Sequence, residues 1–458
     1  MILIANALHI PLKDESVHCV VTSPPYYGLR KYDIPDLIWD GEAGCKHEWG
    51  DFLPNPMKPY ENQVPQTKYT NSSSADGQNT RAGQFCSLCG AWRGSLGLEP
   101  TPELYVQHLV EIMREVRRVL RDDGTLWLVL GDSYWGGKGQ NGSSKARRTA
   151  EERGYTQSSG TVLMDTRPQD GQHDVLKAKD LVGIPWRVAF ALQADGWWLR
   201  SDIIWTKPNC MPESVTDRPT KSHEYVFLLS KSATYFYDNE AIKEPLCESS
   251  LERMNQPTFD QQTGGPSDYA HGVNPNRSAR KALENLEKSR PSGRNKRDVW
   301  TVPTSANHWP ADVAHFATFP PALIEPMIKA GTSEKGCCPK CGSPWKREVE
   351  KTFVPQQDVS LDRGIRGATG QKPMDASSEW DGVPRGSNVV KTIGWQPTCS
   401  CDAGDPVPCV VMDPFAGSGT TGVVAEKLNR RWVGLDLGYL ELQQERLVGI
   451  QKEMPLIG

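Results

Sequence analysis

The residues best suited to chemistry near the start of the chain are Ser23, Pro24, Pro25 and Tyr26, which follow the apolar run 17–21. The two prolines stiffen the loop and remove backbone donors, so the Pro24 carbonyl becomes a fixed acceptor. A planar base could stack on Tyr26 while its exocyclic amine donates to Ser23 and Pro24. Acceptors that hold the amine hydrogens out of the ring plane free the nitrogen lone pair for in-line attack. A plain proline-rich turn or a polyproline ligand is the alternative interpretation.

A glycine-rich turn near the end of the chain is the second feature that carries chemistry. It follows the apolar run 410–412, so a ligand would lie beyond the carboxyl end of a strand. A phosphate loop would have Lys after its last glycine, whereas Val423 follows Gly422. A nucleoside with a non-phosphate group fits better, and Asp436, which ends the next strand, could accept from ribose hydroxyls. A structural turn is the alternative. The candidate cofactor residues of the turn are Asp413, Pro414, Phe415, Ala416, Gly417, Gly419, Thr420 and Thr421.

Short apolar runs alternate with helical periods and predict the elements that must position these loops. The helix over 104–120 has Thr101 as its N-cap and Pro102 in its first turn. Alternation of strands and helices indicates an α/β fold with a mostly parallel sheet covered on both faces. With 41 Gly and 35 Pro, we expect long insertions on a smaller core. The predicted strands are 17–21, 125–130, 202–205, 225–229, 410–412 and 431–436.

The twelve cysteines form two sets that have the spacing of metal ligands. A Cys-x-x-Cys turn brings two thiolates onto one tetrahedral zinc, and four closed ligands leave no open position, so both sites would be structural. Cys337 competes with Cys338, and the two-residue spacing favours Cys338. Reduced surface cysteines are the alternative. The predicted ligands are Cys45, His47, Cys86 and Cys89 in the first set, and Cys338, Cys341, Cys399 and Cys401 in the second.

The composition excludes several classes of protein. The 52 Lys and Arg against 56 Asp and Glu give a net charge of −4, so a globally basic coat for nucleic acid is excluded and a local patch must make any such contact. No apolar run approaches the ~18 residues of a membrane span. The first residues lack the charged and long apolar segments of a secretion signal. We therefore expect a reducing, cytoplasmic compartment.

The two loops, in this order, resemble those of the β permutation class of amino-methylating DNA methyltransferases, in which Ser/Asp-Pro-Pro-Tyr/Phe precedes Phe-x-Gly-x-Gly. Further segments resemble the family: the strand running to the Trp-x-Lys-Pro-Asn corner at 205–209, the hairpin at 218–231, Asp-Val-Trp at 298–300, and the segment 315–324. The resemblance implies a Rossmann-like, circularly permuted sheet that binds S-adenosylmethionine. It requires that the two loops, about 390 positions apart, meet at one edge of the sheet.

The resemblance also implies roles by position. Ser23, Pro24 and Tyr26 would grip the target base. Asp413, Phe415, Gly417, Gly419 and Thr420 would hold the methionine end of the cofactor, and Asp436 its ribose. Phe316 and Pro320 would close the pocket, and Asn6, at the end of the opening strand, would contact the adenine.

The target base follows from the same loop. In this family Ser-Pro-Pro-Tyr accompanies N4-cytosine more often than N6-adenine, and neutral Ser23 is a weaker acceptor than a carboxylate. N4-cytosine is therefore the preferred prediction, with N6-adenine as the alternative. Methylation at C5 needs a Pro-Cys nucleophile on the catalytic loop, and no cysteine neighbours Ser23. The base must be flipped out of duplex DNA to reach the methyl donor.

A local basic stretch is the predicted DNA contact. Residues 276–297 contain eight basic residues and two glutamates, a local charge of +6, where the family places its target-recognition region. A solvated loop is the alternative. The family resemblance also implies a bacterial or phage-infected host cell, with a cognate restriction endonuclease as a candidate partner. The predicted DNA-binding residues are Arg277, Arg280, Lys281, Lys288, Arg290, Arg294, Lys296 and Arg297.

These assignments predict a core interrupted by insertions. Two other functions compete: a methyltransferase acting on protein or free nucleotide, and a non-catalytic, zinc-bearing adaptor for nucleic acid. The predicted parts are a catalytic core at 1–36 and 99–239, zinc insertions at 37–98 and 337–404, a recognition region at 240–312, a pocket segment at 313–336, and a cofactor-binding part at 405–458.

Overall fold

The computed structural model describes residues 2–28, 35–51, 83–135, 173–245, 294–304, 319–355 and 386–438. The chain divides into two compact units. The first contains residues 1–237, 297–344 and 399–458, and the second contains residues 238–296 and 345–398. The segments predicted as a recognition region and as a second insertion therefore contribute to one unit.

The first unit is built on an eight-stranded sheet. Its strands are β1 (Ile2–Ile4), β2 (Val17–Thr22), β6 (Leu120–Leu130), β7 (Trp198–Thr206), β8 (His223–Ser230), β9 (Val299–Thr301), β12 (Val410–Asp413) and β13 (Arg431–Asp436). Their order across the sheet is β1-β13-β12-β2-β6-β8-β7-β9. Five neighbouring pairs are parallel, and β8 runs antiparallel to both β6 and β7. The predicted α/β class with a mostly parallel sheet is confirmed.

Both faces of the central strands are covered. All six residues of β2 are buried, as expected of a parallel strand with packed layers above and below it. The helices are α1 (Pro102–Val119), α2 (Ile184–Ala194), α3 (Pro321–Gly331) and α4 (Thr420–Lys427). Helix α1 packs on α2, and α3 packs on α4 and β2.

Helix α1 begins where the sequence predicts. The Leu104 amide donates to Thr101 Oγ1 at 3.2 Å, and Pro102 occupies the first turn, where its missing N–H costs no hydrogen bond. Its buried face carries Tyr105, Leu109 and Met113, together with His108. The buried histidine matters below because it lies beside the candidate site.

A small antiparallel sheet belongs to the first unit. It contains β3 (Leu37–Trp39), β4 (Gln84–Phe85) and β5 (Trp92–Gly94), in the order β3-β5-β4. Trp39 pairs with Trp92 in register, and the Trp39 indole donates to the Gly94 carbonyl at 3.0 Å. The first cysteine set lies in the loops of this sheet: Cys45 and His47 follow β3, and Cys86 and Cys89 lie between β4 and β5.

The second unit contains a long antiparallel hairpin of β10 (Lys346–Pro355) and β11 (Gly386–Gln396). Arg347 forms an ion pair with the buried Asp238 carboxylate at 2.9 Å, and its guanidinium lies 4.4 Å from the centre of the Trp395 ring. Among the described helices, none is long and apolar enough to cross a membrane.

Candidate active site and metal centres

The two chemistry-bearing loops meet at one edge of the sheet. Strand β2 lies next to β12 in parallel, with Val411 opposite Cys19, so the loops that follow both strands leave the same edge. The Thr22 hydroxyl donates to Asp413 Oδ1 at 2.7 Å, across 391 positions of sequence. The predicted meeting of the Ser-Pro-Pro-Tyr loop and the glycine-rich turn is confirmed.

The side chain of Asp413 holds the two loops together. It is buried and accepts hydrogen bonds from Thr22, from the Thr421 hydroxyl at 2.7 Å and from the Phe415 amide at 3.0 Å. Burial raises the pKa of the carboxyl from 3.8 to about 6, although these hydrogen bonds act to lower it. Asp413 therefore positions the end of β2, the turn and the first turn of α4 relative to one another.

A cleft opens beside this junction. The predicted residues Asn6, Ser23, Pro25, Pro414, Phe415, Gly417 and Asp436 come together in its lining. The rest of the lining is Ala5, Ala7, Pro35, Leu37, Trp39, Ser95, Leu96, Ile112, Leu435 and Leu437. One wall is therefore supplied by β3 and by the loop after β5, which sequence reasoning did not place at the site.

Asn6 and Asp436 both line the cleft, and they follow or end the parallel neighbours β1 and β13, in which Ile4 lies opposite Asp436. Asp436 accepts from the Gly417 amide at 2.7 Å, which fixes the glycine turn against the end of β13. Gly417 and Gly419 have φ values of 49° and 75°, a left-handed conformation that favours glycine. The turn thus requires these glycines for its own backbone.

Tyr26 is held by groups from two other segments. Its hydroxyl donates to Glu224 Oε2 at 2.8 Å, and the other Glu224 oxygen pairs with Lys207. The ring lies against Gly131, where an added Cβ would come within 2.5 Å of it. Glu224 and Lys207 were noted in the sequence only as parts of family-like segments. Glu224 contacts Tyr26, and the antiparallel pairing of β7 and β8, which the sequence did not reveal, brings Lys207 to Glu224.

The loop 95–99 supports the Ser-Pro-Pro-Tyr loop from the other side. The Gly28 amide donates to the Gly97 carbonyl at 2.7 Å, and the Tyr105 hydroxyl donates to the Pro25 carbonyl at 2.9 Å. Glu99 is fully buried and accepts from the Gly97 amide at 2.8 Å. These contacts fix the backbone around Pro25.

Glu99 belongs to a buried polar network centred on His108. The two His108 ring nitrogens lie 3.0 Å from Glu99 and 2.9 Å from Asp40. Burial acts to lower the pKa of His108, but the hydrogen bond and charge of Glu99, and then those of Asp40, raise it. The Trp39 and Trp92 rings stack on the imidazole, with centroids 4.4 and 5.4 Å away. A histidine between two carboxylates is fully satisfied only when both nitrogens carry hydrogen.

Comparison with known proteins decides the family. The family model for DNA methylases of the N6/N4 type matches residues 17–338 and 405–444. The chain belongs to the N6/N4 DNA methylase family. It is therefore a DNA methyltransferase that depends on S-adenosylmethionine.

Curated relatives align with this methylase over nearly its whole length. Type II methyltransferase M.XycI of Xanthomonas campestris pv. cyanopsidis is 31% identical over 443 residues, covering 96% of this chain and 83% of the relative. Type II methyltransferase M.SmaI of Serratia marcescens is 30% identical over 439 residues, covering 95% and 86%. Type II methyltransferase M.SfiI of Streptomyces fimbriatus is 28% identical over 444 residues, covering 93% and 85%. The methylase is thus similar to type II enzymes over its insertions as well as its core.

The first cysteine set of the methylase converges as predicted. One ligand atom from each of Cys45, His47, Cys86 and Cys89 lies within 4.8 Å of all the others. The turn Cys86–Cys89 closes through the Gly90 amide, which donates to the Cys86 carbonyl at 3.0 Å, and the Leu88 amide points at the Cys86 sulfur at 3.4 Å. Three thiols and an imidazole at this separation match the donors of a tetrahedral zinc site.

The second set also converges and distinguishes the two adjacent cysteines. Cys338 groups with Cys341, Cys399 and Cys401 within 4.8 Å, whereas Cys337 groups with His18 and Cys409. This grouping supports Cys338 as the ligand. The set joins the two ends of segment 345–398, because Cys341 precedes that segment and Cys399 follows it.

The third group, His18 with Cys337 and Cys409, has no free imidazole nitrogen for a metal. The Val410 amide donates to His18 Nδ1 at 3.1 Å. Nε2 must therefore carry the hydrogen, which it donates to the Gly342 carbonyl at 2.8 Å. His18 instead ties the turn Cys338–Cys341 to the amino-terminal start of β2. Arg121 ties the same turn to the start of β6 by donating to the Cys341 carbonyl at 2.8 Å.

Several predicted residues are placed away from the cleft lining or lie outside the described residues. Ala416, Gly419, Thr420 and Thr421 build the turn, and Thr420 and Thr421 are buried in it. Pro320 is the N-cap of α3.

Arg294 and Lys296 pair with Glu244 at 3.4 and 3.1 Å, which reduces their contribution to the basic patch. Arg297 accepts through its carbonyl from the Trp300 indole at 2.6 Å. The predicted residues outside the described part are Phe316, Arg277, Arg280, Lys281, Lys288 and Arg290.

Proposed function

We propose that this methylase transfers a methyl group to the exocyclic N4 amine of cytosine at specific sites in duplex DNA. The observation that carries the proposal is the shared cleft. Ser23 and Pro25 of one loop, and Phe415 and Gly417 of the other, line one opening. The Thr22–Asp413 hydrogen bond holds the two loops next to each other. A base-gripping loop and a cofactor loop must meet in this way for direct transfer.

The chemistry of the cleft lining fits S-adenosylmethionine, which supplies the methyl group when bound. Leu37, Trp39 and Leu435 offer apolar walls for an adenine ring. The Asn6 amide and the Asp436 carboxylate, both in the cleft lining, offer the polar partners for adenine and ribose hydroxyls. We assign the methionine end to Phe415 and the glycine turn, with Phe316 and Pro320 closing the pocket.

Ser23 supports cytosine N4 as the target atom. Ser23 is half-buried and lines the cleft. Its hydroxyl would offer a neutral acceptor to one amine hydrogen, and the Pro24 carbonyl would accept the other. These bonds direct the nitrogen lone pair out of the ring plane, and Tyr26 stacks on the base. N6-adenine is the second candidate, because the same geometry serves any exocyclic aromatic amine.

Duplex DNA must give up its paired base to this cleft, which costs a few kcal/mol. We propose that DNA binding by the recognition region 240–312 offsets this cost, because its basic residues between 277 and 297 would neutralise backbone phosphates. The relatives are named type II methyltransferases, so a cognate restriction endonuclease is the proposed functional partner.

We assign one structural zinc ion to each cysteine set. Their ligand atoms lie within 4.8 Å of one another in both sets. A metal ion would stabilise the polar segments 48–85 and 342–398, which contain too few apolar residues to form a core of their own.

The test is methyl transfer from tritiated S-adenosylmethionine to duplex DNA, followed by nucleoside mass spectrometry. We expect label in N4-methylcytosine, lost in the Ser23→Ala variant because one acceptor for the amine is removed. Label in N6-methyladenine would replace cytosine by the second candidate. Label in protein alone, or none with Ser23 intact, would overturn the proposal.

A further inference from the structure

The first cysteine set is physically connected to the catalytic loop. Cys45 and His47 follow β3, and Cys86 and Cys89 lie between β4 and β5. The same three-stranded sheet ends at the cleft, which Leu37 and Trp39 of β3 and Ser95 and Leu96 after β5 line. A metal held by these four ligands would therefore lock together the strands that form one wall of the proposed cofactor site.

A second path runs from this sheet to the base-gripping loop. The Trp39 and Trp92 rings both stack on His108, whose imidazole is hydrogen-bonded to the buried Glu99 carboxylate. Glu99 holds the Gly97 amide, and the Gly97 carbonyl accepts from Gly28 at 2.7 Å. A Cβ added to Gly97 would lie 3.0 Å from the Tyr26 carbonyl and 3.4 Å from Pro25, so this loop and the Ser-Pro-Pro-Tyr loop are in direct contact.

The second cysteine set has a different position. Its turn is bonded to His18 and Arg121, which lie at the amino-terminal starts of β2 and β6. The proposed active site lies at the opposite, carboxyl-terminal ends of the parallel strands. Of the two quartets with similar donors among the described residues, the first adjoins the cleft and the second does not.

We infer that the metal ion of the Cys45, His47, Cys86 and Cys89 set is a positioning element of the active site, which fixes the cofactor wall and the Ser-Pro-Pro-Tyr loop. This inference rests on the proposed assignment of the cleft to S-adenosylmethionine. The metal acts through β3, β5 and the loop 95–99 and makes no contact with the reacting atoms.

The test compares Cys89→Ser with the matched variant Cys401→Ser in the full chain. Zinc per chain, the dissociation constant of S-adenosylhomocysteine, kcat and thermal stability are measured for each. Each variant loses one zinc ion. We expect Cys89→Ser to weaken S-adenosylhomocysteine binding and to lower kcat by about tenfold or more, because small displacements of positioning groups have large kinetic costs. Cys401→Ser should keep the dissociation constant of S-adenosylhomocysteine within about twofold of the wild-type value, since its site lies at the opposite ends of the strands.

A third variant tests the path without removing a ligand and serves if Cys89→Ser does not fold. Gly97 has φ +93°, and its added Cβ would press on the Tyr26 backbone. Gly97→Ala should keep its metal and still lose kcat. Wild-type kinetics and affinity in Gly97→Ala, or equal effects of Cys89→Ser and Cys401→Ser on S-adenosylhomocysteine binding, would overturn the inference. S-adenosylhomocysteine binding is read without DNA, so a wild-type enzyme that transfers no methyl group refutes the proposed function separately.

Discussion

Replacing Asp413 by Asn should make the protein more stable at neutral pH, although Asp413 lies in the cofactor turn. The carboxyl is buried and its pKa is raised from 3.8 to about 6. One pKa unit corresponds to 1.36 kcal/mol, so holding this group ionised above pH 6 costs about 3 kcal/mol. Asparagine has no such cost. Its carbonyl can accept from Thr22 and the Phe415 amide, and its NH₂ can donate to the Thr421 hydroxyl, which is able to accept.

The sign of the pH dependence follows from proton linkage. The folded pKa of Asp413 lies above its unfolded value, so this group binds more protons in the folded state between pH 4 and pH 6, and its contribution to stability falls as pH rises through that window. The stability of Asp413→Asn relative to wild type should therefore increase by roughly 2.5 kcal/mol from pH 4 to pH 7 and then stay level.

Urea unfolding of both proteins at intervals between pH 4 and pH 8 measures this difference. Asp217→Asn is a matched control with the opposite sign. The Lys179 ion pair lowers the pKa of Asp217, so its contribution is present above the unfolded pKa and lost as pH falls. A stability difference for Asp413→Asn that is independent of pH, or that falls as pH rises, would refute the reasoning from burial.

Three further predictions concern the base-gripping loop, the DNA contact and the metals. Tyr26→Phe and Glu224→Ala should each lower kcat/KM about tenfold, because each removes the same Tyr26–Glu224 hydrogen bond. The loss in the double variant should therefore be smaller than the product of the two single losses. Fully multiplicative losses would contradict this coupling. Neutralising Arg277, Arg280 and Lys281 should weaken DNA binding and reduce the slope of log affinity against log salt by about 3, and an unchanged slope would remove these residues from the interface. Elemental analysis of never-chelated protein should give about two zinc ions per chain, unchanged in His18→Ala, because both imidazole nitrogens are engaged by backbone groups; three ions, or none, would contradict the assignment.

Local sequence signals predicted the elements that carry their own periodicity or caps. The strand predicted at 431–436 has those bounds in the structure, and the helix after Thr101 is capped by it. The glycine turn was recognisable because Gly417 and Gly419 must adopt positive φ. These features depend on neighbouring residues alone, which is why a single sequence reveals them.

The missed features depend on contacts between distant segments. Nothing in the run 223–230 shows that β8 inserts antiparallel between β6 and β7, and that pairing is what brings Glu224 to Tyr26. Strands β3, β4 and β5 have only two or three residues, too few for a period-2 pattern. His108 appears in the sequence as one histidine on an apolar helix face, and its two carboxylate partners are 9 and 68 positions away.

The Ser-Pro-Pro-Tyr loop is held by side chains from several separate segments, and the proposed role of Ser23 as a neutral acceptor gives a reason. A carboxylate in place of Ser23 would attract the amine hydrogens by charge over a range of positions. A hydroxyl and the Pro24 carbonyl depend on distance and angle, because neutral hydrogen bonds are weaker and weaken steeply when misaligned. Asp413 fixes the loop at Thr22, Tyr105 at Pro25 and Glu224 at Tyr26. Loss of any of these anchors should therefore reduce the rate of transfer more than the affinity for DNA, since each sets acceptor geometry and none is assigned to phosphate contact.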